Sequence, residues 1–422
     1  MNNYDLIVVG AGPAGLMAAG RAAEKGAKVL VLEKMRQEGR KLLITGKGRC
    51  NITNDAPIRE FIKHVYPNGK FLRSAFSQFY SKDILELLQK QGVDVTLERG
   101  GRYFPASNKS ADVLQALLKW VKQNRVEIRC GHRVEQLIAK NESIIGLLVD
   151  RQLFSAKNVI LATGGKSYPA TGSTGDGYEL AKQVGHDIVP PHPALVPLET
   201  AGNMAQQLQG LNLKNVKAMV WINDKKVGED FGEMIFTHFG LSGPIILTLS
   251  RIAVDALQKK QKVEITIDLK PALDEQKLDN RLLRDLDEHG KKQIINLFKS
   301  WLPSSMIPVF IEQLGIDPYK ECHQVSSNER KKIKLMMKNL RFSVTNHRSY
   351  KEAIITAGGI PTNEISSKTM ESKIVKGLFF AGEMIDVDAE TGGYNLQIAY
   401  STGWLAGNSI EINSAEGGVK NE

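Results

Sequence analysis

Gly10-Ala11-Gly12-Pro13-Ala14-Gly15 is a G-x-G-x-x-G run set directly after an apolar segment and opening a stretch rich in small residues. In that setting Gly10 permits a tight turn, Gly12 lets a pyrophosphate approach the backbone, and Gly15 allows close helix–strand packing. The N-terminus of the following helix then faces phosphate charge. Glu33 closes the next apolar run, where its carboxylate can hold a ribose diol. The chemistry these residues announce is dinucleotide binding, and the competing reading is a glycine-rich turn with no ligand.

Later segments bear on which dinucleotide. VILATGG (159–165) places a strand before Thr163, Gly164 and Gly165, where backbone can pass close to a cofactor. LFFAGEMIDVDAETGGYNLQ (378–397) supplies a strand, Gly382 and Glu383, the acids Asp386 and Asp388, and then Gly392-Gly393 opening a helix at Tyr394, Asn395, Leu396 and Gln397. A second helix N-terminus can face another part of the same ligand. A cofactor contacted from both chain ends is long and deeply held, so FAD fits better than NAD. The loop GRKLLITGKGRCN (39–51) adds Arg40, Lys41, Lys47 and Arg49 around Gly46 and Gly48, suiting a phosphate-bearing ligand or simply a solvated basic loop. Cys50 ends it beside a cation that would lower a thiol pKa, so it is a candidate proton donor as well as a candidate buried filler.

These residues need elements to hold them. YDLIVVG (4–10), AKVLVLE (27–33), KNVILA (157–162) and GLFFA (377–381) read as buried parallel strands, and 13–25, 81–91, 110–124, 174–184 and 395–410 as helices. From about 191 the texture changes. PPHPALVP leads into alternating segments such as VKAMVWIN and KVEITIDL, then into a charged helical stretch. The expected organisation is α/β: a two-piece dinucleotide-binding domain of residues 1–190 and 346–422, with an inserted domain at 191–345 that is helical over about 272–330.

Composition narrows the classes. A chain of 422 residues suggests two or three domains. With 42% hydrophobic and 24% charged residues it is globular, not disordered. No apolar run approaches a membrane span, and the N-terminus lacks the basic and cleavage regions of a signal peptide. Three separated cysteines (Cys50, Cys130, Cys322) exclude a disulfide framework and a four-thiolate zinc site, so no metal is expected and a cytoplasmic location is. The formal charge of +10 permits anionic partners, and no obligate protein partner can be read.

GRKLLITGKGRCNITN, ATGGKSYPATGSTGDGYELA, FTHFGLSGP and GEMIDVDAETGGYNLQIAYSTG together resemble the YhiN-like bacterial flavoproteins, the family of BaiN, RdsA and the aminoacetone oxidases, in order from about residue 4 to 410. The resemblance implies non-covalent FAD in a two-piece Rossmann-type domain interrupted by a β-barrel-like domain with a helical subdomain. By position it implies FAD contacts at Gly10, Gly12, Ala14, Glu33, Lys34, Arg40, Lys41, Asn51, Gly165, Glu383, Asp386, Asn395 and Leu396, and an adenine contact from the Val134 backbone. Ala389 departs from the family, which usually has glycine there. That puts the local loop geometry in doubt.

No second G-x-G-x-x-G exists, so NAD(P)H is expected as a transient donor docking against the flavin. The family implies two substrate classes. One is a uridine of large-subunit rRNA, reduced to dihydrouridine; the other is a small molecule, either a steroid-like enone or an amine such as aminoacetone. Cys50, Tyr394 and His238 are the expected proton donors. The cation-rich RKKIKLMMKNLR (330–341), with Arg330, Lys331, Lys334, Lys338 and Arg341, is the expected RNA-docking face, its alternative being an ordinary solvated helix. FTHFGLSGP (236–244) is expected to cap the flavin.

Overall fold

The computed structural model describes residues 3–412, so the last ten residues of the expected second piece lie outside it. Two compact units emerge, one built from the chain up to Pro193 and from Ile354 onward, the other from Ala194–Ala353.

The first unit is Rossmann-type. Its sheet runs Glu127–Cys130, Val29–Glu33, Asn3–Val9, Gln152–Leu161, Ser143–Val149, Val134–Lys140. The pairs from Glu127–Cys130 across to Gln152–Leu161 are parallel; the last two strands join as antiparallel hairpins. Leu378–Phe380, from the far end of the sequence, adds in parallel beside Val159–Leu161. Leu6, Ile7, Val8, Val159, Ile160 and Leu161 are wholly buried, which is why these strands read as unbroken apolar runs without alternation.

The second piece also returns a helix. Tyr394–Ser409 lies along Pro13–Glu24, and the two backbones touch. A Cβ added at Gly403 would sit 2.2 Å from the Ala14 carbonyl oxygen, and one at Gly407 the same distance from that of Ala18. His186 joins the pieces again: its Nδ1 lies 2.7 Å from the Glu364 carboxylate and its Nε2 2.8 Å from the Ser372 hydroxyl. Burial holds the His186 pKa below its usual value, against the pull of Glu364, so the neutral ring bridges the two partners.

One stretch behaves differently from its composition. The Pro-rich VPPHPA (Val189–Ala194) forms a strand, paired among the described residues with Ile355–Gly359 in a two-stranded sheet. Proline is tolerated because a two-stranded ribbon leaves one edge needing no donors.

The second unit is a closed barrel of Leu198–Thr200, Gly240–Ser242, Lys225–Thr237, Asn212–Ile222, Val263–Asp268 and Leu340–His347, in that spatial order. Short helices between Glu275 and Lys338 build the helical part. Ala218, Val220, Ile265 and Ile267 fill the interior of this unit's own core.

The backbone contact at Gly407 yields a direct expectation. Gly407→Ala should destabilise the protein by about 1–3 kcal/mol or more, since neither backbone can yield alone. Gly290→Ala, whose new Cβ meets nothing nearer than 3.5 Å, should have little effect. Thermal midpoints of the two variants check this; equal midpoints would refute the close-contact reading.

Candidate functional site

Two helix N-termini open on one cleft of the first unit. Gly12 caps Pro13–Glu24 and Gly393 caps Tyr394–Ser409, and neither helix carries a side-chain cap hydrogen bond. Their first-turn N–H groups therefore stand available to an external acceptor. Gly10 turns the chain with φ +106°, and a Cβ there would lie 2.5 Å from the Ala162 carbonyl oxygen. A Cβ at Gly15 would meet the Gly10 oxygen at 1.9 Å, so that glycine serves packing. At Gly12 a Cβ would meet nothing within 4 Å. It would point into open space, which is how a glycine that admits a ligand should look.

The cleft lies along the fingerprint turn, drawing its wall from both pieces of the chain. Gly10, Gly12, Pro13, Ala14, Glu33, Lys34, Arg40, Lys41, Val134, Thr163, Gly164, Gly382, Glu383, Asn395 and Leu396 all line it. Glu33 accepts from the N–H groups of Ala11 and Met35, both at 2.9 Å, which fixes its carboxylate at the strand end beneath the fingerprint turn.

Two charged clusters border the cleft. Lys41 pairs with Glu383 at 2.5 Å and donates to Ser167 at 2.5 Å; Glu383 also accepts from Ser167 at 2.8 Å and from the Thr356 N–H at 2.9 Å. Lys34 pairs with Asp176 at 3.0 Å and Arg133 with the same carboxylate at 3.2 Å. Burial works to raise the Asp176 pKa, but hydrogen bonds from Thr174 and Lys34 and the neighbouring cations hold it below the usual value. Ser167, Thr356, Arg133 and Asp176 escaped the sequence reading because only the fold brings them to the fingerprint.

Other expected contacts stand behind the cleft wall. Asn51 accepts from the Gly393 N–H at 2.9 Å and donates to the Thr53 oxygen at 3.2 Å, so it anchors the start of the C-terminal helix. Gln397 is wholly buried between Thr53 and Ser401. Gly165 packs against Thr356 and Glu383. The Asp386 N–H donates to Ile360, and Gly48 lies in the basic loop, not in the wall. Ala389 keeps an ordinary negative φ, so its methyl fits where the resemblance suggested glycine.

The proton-donor candidates are not brought together. Cys50 is fully buried, and burial pushes its thiol up to about 12, opposite to the depressed value expected from the adjacent cation. No neighbouring charge offsets that desolvation. Tyr394 is nearly buried, its hydroxyl pushed up by burial and then by the Glu390 charge. His238 belongs to the barrel unit, where it is exposed and meets Phe239 edge-on at 4.9 Å. Four of the five expected docking cations are engaged within that unit: Arg330 and Lys334 with Asp279, Lys338 with Asp268, and Arg341 with Glu264. Lys331 is exposed.

Comparison with known proteins now decides the family. The model described as HI0933-like protein Rossmann domain matches residues 4–409. The chain belongs to this family. As an HI0933-like protein it is an FAD-dependent oxidoreductase. It is 31% identical over 95% of its length, and 97% of the other chain, to the 3-dehydro-bile acid delta(4,6)-reductase of Clostridium scindens. It is 29% identical to the ribosomal RNA dihydrouridine synthase of Escherichia coli over 97% of this chain and 98% of that one, and 30% identical to the Haemophilus influenzae protein of the same name over 97% and 99%. The uncapped helix ends, the opening at Gly12 and the lining drawn from both pieces of the chain fit FAD.

Gly12→Val is expected to leave the FAD-free protein folded with an unchanged thermal midpoint, while raising the FAD Kd at least about tenfold by flavin fluorescence titration. Gly15→Val should fail to fold. Wild-type FAD affinity in Gly12→Val would rule out this cleft as the seat. Cys50 should resist a thiol reagent at pH 8 until the protein is unfolded, read by mass of the labelled peptide.

Proposed function

We propose that this HI0933-like protein reduces an activated C=C bond with a dihydronicotinamide as electron source, and that the bond belongs to a uridine of large-subunit rRNA, giving dihydrouridine in the cytoplasm. The observation that carries the reading is the end-to-end match to two ribosomal RNA dihydrouridine synthases from two organisms, covering 97% of this chain. The net charge of +10 supports an anionic polymer as substrate. Exposed Lys331 and Lys332 remain for phosphate contacts on the helical part of the insert.

In this reading the fingerprint turn and first helix hold the pyrophosphate, Glu33 holds a ribose, and the Val134 backbone meets the adenine. Arg40, Lys41, Glu383, Asn395 and Leu396 hold the flavin end. Bound FAD supplies hydride to an electron-poor carbon. The chain's own residues orient that carbon, keep water away with the apolar wall of Ile354, Ile355 and Val387, and deliver a proton to its neighbour. Stacked in RNA, a uracil ring could not reach into the cleft, and it would have to be turned out of the stack first.

A second reading has its own support. The bile acid delta(4,6)-reductase is as similar as the rRNA synthases, and a conjugated enone asks for the same hydride and proton. Quantitative mass spectrometry of rRNA nucleosides separates the two. Deleting the gene should remove a dihydrouridine that the wild-type gene restores and the Gly12→Val gene does not. An unchanged dihydrouridine level would overturn the RNA assignment and leave the enone.

A further inference from the structure

Reduction of a C=C bond ends with a proton placed on the carbon that the hydride does not reach. Among the expected donors, Cys50 is sealed and Tyr394 is nearly so. A different group in the first unit is better built for the task. The His64 Nδ1 lies 2.7 Å from one oxygen of Glu390, and the Tyr66 hydroxyl donates to the other at 3.0 Å. The Glu390 N–H donates to the His64 carbonyl at 3.1 Å, and the flanking residues pair as a short antiparallel ladder, Val65 with Ala389 and Tyr66 with Asp388. One face of the imidazole lies on the Tyr394 ring, with centroids 4.8 Å apart and planes 25° from parallel. Four constraints thus orient one histidine.

The assembly also connects to the cleft. Asn395, a cleft residue, accepts from the Ala389 N–H at 2.9 Å and donates to the carbonyls of Ala389 and Glu390 at 2.7 and 3.2 Å. With Nδ1 taken by Glu390 and one face covered, Nε2 is the nitrogen left to exchange a proton. The side chain is 36% exposed, so solvent can recharge it. A surface ion pair needs none of this framing and would gain little from it.

We propose that His64, paired with Glu390 and stacked on Tyr394, is the proton donor of the reduction; this rests on the C=C reductase reading above. The balance is as follows. Hydride from the reduced cofactor brings two electrons and forms one C–H bond. The displaced π pair takes the Nε2 proton of the His64 imidazolium and forms the second C–H bond. The imidazole, now neutral, regains a proton from water, and a dihydronicotinamide restores the two electrons. The Glu390 hydrogen bond raises the His64 pKa against the opposing effect of burial, with Glu60 adding to the rise and Lys63 opposing it. The donor is therefore charged up to and beyond the ordinary histidine value, and its activity falls as pH rises through the raised one.

The test uses the FAD-loaded protein pre-reduced by a dihydronicotinamide, mixed with either an rRNA fragment or a steroid enone, with flavin reoxidation followed anaerobically. In His64→Gln, flavin reduction should keep its wild-type rate, while reoxidation by substrate should slow by roughly 10²–10⁴-fold. In Glu390→Gln, the alkaline limb of reoxidation should move to lower pH. Imidazole NMR titration of His64 in the FAD-free protein should show a raised pKa that falls in Glu390→Gln, a readout independent of turnover. Wild-type reoxidation in His64→Gln, or an unmoved alkaline limb in Glu390→Gln, would overturn the donor assignment alone. Failure of the wild-type protein to transfer to either substrate would instead overturn the reductase reading, and this proposal with it.

Discussion

The cleft depends on two helices that touch backbone to backbone. Gly403 and Gly407 leave no side chain between the C-terminal helix and the carbonyls of Ala14 and Ala18. A helix pair normally packs with axes 8–10 Å apart, and small residues on both sides set the close limit. Because one helix belongs to each piece of the split unit, this contact brings both uncapped N-termini to a single cleft. Separate the helices by the width of a methyl group, and the ends of the site no longer fit the same molecule.

Electrostatics then divides the site into parts that are spoken for and parts that are not. Lys41, Glu383, Ser167 and Thr356 satisfy one another, and Lys34 and Arg133 share Asp176. Both clusters hold geometry; the first is neutral, and the second keeps one net positive charge. The helix ends are different, since neither carries a side-chain cap on its first-turn N–H groups. Main-chain potential from the helix ends thus adds to that of side chains such as Arg40, while the ion pairs frame the cleft. The same bookkeeping explains the helical part of the insert, where a run of cations in the sequence becomes a set of internal ion pairs.

Much of this was legible in the residues. The fingerprint, the acid at Glu33 and the return of a buried strand and helix after residue 353 specify a two-piece α/β fold, because buried parallel strands and glycine turns are local signals. Lys41, Glu383, Asn395 and Leu396 were marked by resemblance, and they line the cleft. What stayed hidden was tertiary. Cys50 looked activated by its neighbour in sequence, but neighbours in space decide desolvation. The charges opposite Arg330 and Lys338 lie some 50–70 residues away in the chain, and His64 and Glu390 are separated by 326. VPPHPA was not marked as a strand, because proline argues against strands in general, though not against a one-sided ribbon.

The late arrival of Leu378–Phe380 and Tyr394–Ser409 has a consequence for how the protein is made. At a ribosomal pace of roughly 5–20 residues per second, the fingerprint helix emerges about 20–80 s before the helix that covers it. Throughout that interval its Ala14–Ala18 face has no partner, and the sheet lacks its final parallel strand. The inserted barrel, whose strands all lie between Leu198 and His347, is synthesised whole within the same interval. Vectorial synthesis therefore favours completing the middle of the chain before the cofactor cleft can close.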